Sequence, residues 1–276
     1  MNLFRDYVLS ISNKKRFEDA LTKSACGGSS SSDIKVVISR GKAAKFTQAG
    51  ECDTKGLWSV FGQVFRSLHN LAPSKFRNND QLWMTTFAGE RGNDFGGLYR
   101  ETWTIMAKEL MSSTLPLLIA PPNLRSMYGQ NRDSWVLNPD ARTVEQTQMF
   151  EFFGKLMGIA VRSETYMDIN LNPMVWKLIV GEIVTIDDYG GVDAMGVKNL
   201  RDMKTFISAD EFDSVYGNCL VFTTVSLSGS TIELHPGGAC EYVTFDTLSR
   251  YCQEIENYWL TSMQISADSI RRLILV

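Results

Sequence analysis

The chain has 276 residues, 44% of them apolar and 21% charged, with a formal net charge of −3. That is the composition of a folded globular protein, and it excludes wholesale disorder, collagen-like repeats and a disulfide scaffold. The 28 basic side chains do not exceed the 31 acidic ones, so no nucleic-acid partner is expected. No apolar run approaches the roughly 18–20 residues of a membrane span, and Arg5 and Asp6 interrupt the start too early for a signal-peptide core. No membrane partner is expected either. The five cysteines are an odd number without a Cys-x-x-Cys pair, and only His69 and His235 could join them. No metal site and no cofactor are expected, and the thiols point to a reducing compartment, the cytoplasm or the nucleus.

In chain order, Leu3, Phe4, Tyr7, Val8 and Ile11 fall at helical spacing, and a Gly/Ser run from Gly27 to Ser32 reads as a loop. Ile34 to Ile38 reads as a strand and residues 39–55 as a second loop. A helix from Leu57 to Leu71 carries a continuous apolar stripe and stops before Pro73. Leu82 to Phe87 reads as a strand, followed by a glycine-rich loop from Gly89 to Gly97 and a helix through Trp103 and Leu110. Short strands are read at Leu115 to Ala120 and at Ser134 to Leu137. The next helix runs from Val144 to Arg162, and Gly154 and Gly158, four apart, mark a face for close helix packing. Asn172-Pro173 starts a helix that Gly181 ends. Residues 187–213 hold seven acidic against three basic side chains, and Ser208 with Glu211 fits a capping box. Val221 to Leu227 and Thr231 to Leu234 read as a hairpin across Ser228-Gly229-Ser230. Asp246 is expected to cap a long final helix with Leu248, Tyr251, Cys252, Ile255 and Trp259 buried. Helices with scattered short strands make the fold class α+β.

The loop from Gly89 to Gly97 lies between a strand and a helix, where phosphate sites occur. It lacks Gly-Lys-Ser/Thr, and Glu90 and Asp94 would repel a phosphate, so nucleotide binding is not expected. A charged structural brace is expected instead, with Arg100 pairing with Glu90 or Asp94. No cysteine has a flanking base or cation that would favour thiolate, and Cys52 sits between Glu51 and Asp53. The residues themselves indicate no catalytic site.

Several stretches together resemble one family. Phe87-Ala88-Gly89-Glu90 with Gly92, Asp94, Gly96-Gly97 and Arg100-Glu101 is similar to the signature of the HECT ubiquitin-ligase domain. Asn131-Arg132-Asp133, Leu137-Asn138-Pro139 and Phe153 to Arg162 resemble its next landmarks, in order. Leu171, Trp176-Lys177, Gly181, Glu233-Leu234, Pro236-Gly237-Gly238, Val243-Thr244 and Tyr251 continue the series. Ser59 to Gln63 and Pro116 to Ile119 resemble the HERC-type subgroup most.

The resemblance implies the larger, N-terminal lobe of such a domain. That lobe would have a mostly helical large subdomain over about 1–184 and 235–276. A small inserted α+β subdomain over about 185–234 would dock a ubiquitin-conjugating enzyme. The implied partners are that enzyme and ubiquitin, with no substrate indicated. The implied activity is protein ubiquitination through a cysteine in a separate C-terminal lobe. The Thr-Cys-Phe context of that nucleophile surrounds none of the five cysteines here, so the catalytic lobe is expected to be absent and the chain alone inactive. A non-catalytic pseudo-ligase or binding module is the alternative. Many members dock the conjugating enzyme with a phenylalanine in a longer segment. Here the segment from Thr223 to Ser230 is short. Docking is expected at Val225 and Leu227, rimmed by Asp187, Asp188 and Asp193, with packing of both side chains in the small subdomain's own core as the alternative.

Overall fold

The computed structural model describes residues 14–25, 34–77, 79–90, 96–217 and 219–274. The helix read near the N-terminus, the Gly/Ser run, Cys26 and Asp94 lie outside the described residues. Residues 14–24 form helix α1. Strand β1 (Lys35–Ile38) pairs in parallel with β2 (Met84–Phe87), from Lys35↔Met84 to Ile38↔Phe87. Val36, Ile38, Thr85 and Phe87 point into the core at the two-residue period of a strand.

Residues 39–55 depart from the loop expectation, because helix α2 spans Arg40–Gln48. Ser39 caps it, accepting from the Lys42 amide, and Ala43 alone is fully buried. A helix with one buried side chain leaves no apolar stripe to read. Helix α3 (Val60–Leu68) is shorter than its stripe and starts at Ser59. Two buried carboxylates serve its N-terminus. Asp53 accepts from the amides of Leu57, Trp58 and Ser59 at 2.8–2.9 Å. Glu109 accepts from those of Val60 and Phe61 at 2.8 and 2.7 Å. At the other end the Lys155 ammonium donates to the His69 carbonyl at 2.7 Å. Charges of the right sign thus meet both ends of the helix dipole.

Helix α4 (Gly97–Leu110) follows Gly96, whose φ of +92° suits glycine. It buries Trp103 beside Trp83 and Tyr99, with ring centroids 5.8 and 5.9 Å away. Strands β3 (Leu118–Ile119) and β4 (Val136–Leu137) pair antiparallel, with the short helix α5 (Pro122–Ser126) between them. Helix α6 (Val144–Arg162) begins with a reciprocal capping box between Thr143 and Gln146. It buries Met149, Phe150, Phe152, Phe153, Leu156 and Ile159. Asn172 caps α7 (Pro173–Val180), which ends at Gly181 in the left-handed region.

The acidic, glycine-punctuated stretch holds two helices, α8 (Ile186–Gly190) and α9 (Ala194–Met203), before α10 (Ala209–Tyr216). Ser208 accepts from the Glu211 amide, while the Glu211 carboxylate reaches the Ile207 amide, one residue before the cap. Strands β5 (Thr223–Val225) and β6 (Thr231–Glu233) form the hairpin. The final helical region is two helices, α11 (Leu248–Thr261) and α12 (Gln264–Ile274). Its start differs from expectation: Asp246 lies in a 3-10 turn over Phe245–Thr247, and Thr244 and Thr247 supply the cap around it. The five side chains read as buried on α11 are buried.

Helix α12 lies along α6 at the two glycines. A methyl group on Gly158 would stand 2.6 Å from the Ile274 carbonyl oxygen, and one on Gly154 would come closer still to that of Ile270. A continuous buried apolar cluster joins β1, α3, α6 and α11 to Tyr189, Leu200, Phe212 and Phe222. Tyr189 stacks on Trp259 at 4.7 Å, and the buried Asn123 side chain holds the Gly190 carbonyl and the Ala194 amide. The architecture is α+β, mostly helical, with short strands in two-stranded sheets. Among the described residues no helix is long and apolar enough to cross a membrane.

Candidate functional site

The hairpin is the element on which the docking expectation falls. β-branched Thr223, Thr224 and Val225 favour an extended chain. The turn from Ser226 to Ser230 closes because Gly229 takes a φ of +97°. The Ser226 amide donates to the Ser230 carbonyl at 2.8 Å, and the Ser230 amide donates to the Ser226 hydroxyl at 3.1 Å. At the base, the Phe222 amide donates to the carbonyls of Gly238 and Glu241, and the Leu234 amide donates to the Phe222 carbonyl. The Tyr251 hydroxyl donates to the Thr223 carbonyl at 3.2 Å. At the tip, the hydroxyls of Ser226 and Ser228 both donate to one carboxylate oxygen of Asp140, the former at 2.8 Å.

Val225 and Leu227 part company here. Val225 is 61% exposed, whereas Leu227 is 5% exposed and belongs to the core. Were the strand to continue, residues two apart would share a face. It ends at Val225, and the turn at Ser226 rolls Leu227 inward. Leu227 is therefore corrected from a docking side chain to a packing one.

The three aspartates are tied into local structure. Asp188 sits at the third position of α8, in a reciprocal capping box with Thr185, and accepts from the Lys177 ammonium at 2.7 Å. Partial burial works against its charge, but the Lys177 and Thr185 hydrogen bonds outweigh it and hold the carboxyl below its usual range. Asp193 caps α9, accepting from the Gly196 amide at 2.8 Å. Asp187 projects outward and pairs with Arg201 at 2.5 Å. Of the three, Asp187 alone presents its carboxylate to the surface as a rim would.

Glu90 is braced by a different arginine, while the expected pairing of Arg100 with Asp94 lies outside the described residues. Glu90 and Glu101 both pair with Arg40, whose guanidinium lies 4.1 Å from the centroid of the Phe87 ring. The parallel register Ile38↔Phe87 brings the ends of β1 and β2 side by side, so Arg40 arrives where Arg100 was expected. Among the described residues Arg100 makes no ion pair with Glu90. It lines a cavity of about 520 Å³ with Lys108, Glu164 and Asp168.

The four described cysteines are free thiols. Desolvation, and secondarily the Asp53 charge, pushes the Cys52 thiol up, and burial does the same for Cys252. Cys219 and Cys240 are exposed. Asp140 was missed in the sequence, where an aspartate after Asn-Pro in a loop carries no signal of a partner 86 residues away.

The family described as HECT-domain (ubiquitin-transferase) matches residues 104–272, from within α4 through most of α12. The chain belongs to the HECT family. It is 32% identical over 228 residues to E3 ubiquitin-protein ligase HERC2 of Homo sapiens, covering 82% of this chain and 5% of that protein. It is 27% identical over 215 residues to E3 ubiquitin-protein ligase TOM1 of Saccharomyces cerevisiae, covering 76% of this chain and 6% of that protein. To the probable E3 ubiquitin-protein ligase HECTD4 of Homo sapiens it is 26% identical over 196 residues, 64% of this chain and 5% of that protein. The chain thus spans about a twentieth of the length of these relatives. The HECT match includes the hairpin, the acidic helices and the contact of Gly154 with Ile270.

Proposed function

We propose that this HECT segment is the recruiting lobe of a ubiquitin-protein ligase, and that residues 185–234 dock a ubiquitin-charged conjugating enzyme. The observation that carries the reading is Val225, an apolar side chain held outward on a hairpin whose base and tip are both tied down. Ile207 and Val215 are also exposed apolar residues of this stretch, in which exposed Asp187, Asp202, Asp210, Glu211 and Asp213 outnumber exposed Lys198, Arg201 and Lys204. An apolar contact with an acidic rim suits a small, transient interface with a partner that is apolar at its centre and basic around it. The chemistry is exchange of one thioester for another, so the task of such a lobe is to bring two sulfurs together. The raised thiols of Cys52 and Cys252 are poor acceptors, and the family resemblance assigns the accepting thiolate to a separate catalytic lobe. Cytoplasm or nucleus is the compartment this reading expects.

The test is binding of purified conjugating enzymes to the wild-type chain and to Val225→Asp. The variant should bind at least tenfold more weakly with an unchanged thermal melt. Leu227→Asp is the contrast: a charge placed in the core should lower the melt itself. Unchanged affinity in a folded Val225→Asp protein would move the docking surface elsewhere.

A further inference from the structure

We propose that Asp140, in the loop between β4 and α6, is the positioning residue that sets the hairpin tip and hence the direction in which Val225 is presented. The inference rests on the docking reading above and names the residue outside 185–234 on which it depends. A two-stranded hairpin of three residue pairs is marginal by itself in water. Its base is anchored by backbone bonds of Phe222 and Leu234 and by Tyr251. Its tip has two further attachments: burial of Leu227, which has no directional component, and the carboxylate of Asp140.

That carboxylate is itself held in place. The Asp140 amide donates to the Asn138 side-chain oxygen at 3.0 Å, and the Asn138 side-chain nitrogen donates to the Pro116 carbonyl at 2.8 Å. The loop is thus fixed to the segment that leads into β3. From there a chain of hydroxyls runs into the turn. Ser226 and Ser228 donate to Asp140, Ser226 and Ser228 are 2.9 Å apart, and Ser228 and Ser230 are 3.3 Å apart. Ser226 directly follows Val225, so the residue that the carboxylate grips is the neighbour of the one that faces the partner. Hydrogen bonds to a charged acceptor are the strong ones, which suits a directional tie. Asp140 also lines a cleft of about 550 Å³ with Arg142, Ile232 and Tyr258, so its carboxylate stands where the loop, the hairpin and α11 meet.

The experiment uses the 276-residue chain and reads two quantities: amide hydrogen exchange in the hairpin and affinity for a purified conjugating enzyme. Asp140→Ala should speed exchange at Ser226, Gly229 and Ser230 at least tenfold while leaving Phe222 and Leu234 at the base unchanged. Affinity should fall about fivefold. Asp140→Asn keeps one acceptor oxygen and should be intermediate. Ser226→Ala with Ser228→Ala should match Asp140→Ala at Ser226 and Gly229, with a further loss at Ser230, whose amide donates to the Ser226 hydroxyl, and adding Asp140→Ala to that pair should cost nothing more, as two ends of one tie require. If Val225→Asp loses binding while Asp140→Ala changes neither exchange nor affinity, the positioning role is overturned. If Val225→Asp binds normally, the docking reading falls instead, and unchanged exchange in Asp140→Ala would then overturn the tie as well. Should Asp140→Ala fail to fold, the asparagine variant and the serine pair carry the same comparison.

Discussion

Glu109 is the side chain in the fold whose charge is most at odds with its surroundings. Burial pushes its carboxyl up to about 7, and the amides of Phe61 and Val60 pull back only in part. An unfolded glutamate titrates near 4.5. Between those values the folded chain binds more protons than the unfolded one, so stability falls as pH rises from about 4.5 to about 7 and stays lower above. From pH 5 to pH 8 this one group should remove about 2–3 kcal/mol. Glu109→Gln cannot titrate, so urea unfolding of the variant should lack that part of the decline. Parallel pH curves for variant and wild type would show that Glu109 stays charged in the fold throughout. The sequence gives no hint of this role, because a glutamate beside a lysine on α4 looks like a solvated pair. Asp53 was equally opaque: it stood out only as the neighbour of Cys52, yet it receives three amides and a hydroxyl.

Helices that announce their ends in their own residues were legible almost to the residue. Thr143 and Gln146 bracket the start of α6, and Asn172, Pro173 and Gly181 bracket α7. Short helices without a readable apolar stripe were not, although Ser39, Thr185 and Asp193 cap them: α2 buries one alanine, and α8 and α9 lean on Asn123 and Trp259 from distant elements. The glycine pair in α6 was read as a close-packing face, and α12 is what packs there, although no helix separate from α11 was read. Gly154→Ala gains about 1 kcal/mol of helix propensity but must displace the backbone of Ile270. A net loss of about 1–2 kcal/mol is expected by denaturant unfolding. Gly158→Ala meets the Ile274 carbonyl oxygen at 2.6 Å, a longer approach than that at Gly154, so it should lose less. Equal losses, or a stabilised Gly154→Ala, would mean that the helices do not touch there in solution.

For the whole chain, the order of many weak motifs made the family legible, although the site was only half legible. Val225 stands exposed and Leu227 buried, and the sequence pattern could not separate the two or show that Asp188 and Asp193 are spent on helix caps. Those outcomes depend on where a strand stops and which amides lack partners, and both are settled in three dimensions. Mixed with charged conjugating enzyme, the 276 residues alone should give no reductant-sensitive ubiquitin adduct on a non-reducing gel. An adduct lost on changing any one of the five cysteines to serine would place a transfer thiol within this segment. The α6–α12 contact has a mechanical side. Two glycines one turn apart receive two carbonyl oxygens one turn apart, so the helices mesh like a short rack. A slip of one residue, about 1.5 Å, would drive a backbone oxygen against α6. Tension along α12 is therefore borne in shear by that mesh and reaches the centre of the lobe as displacement, whereas a pull across the helix axis meets no such interlock and would peel it away.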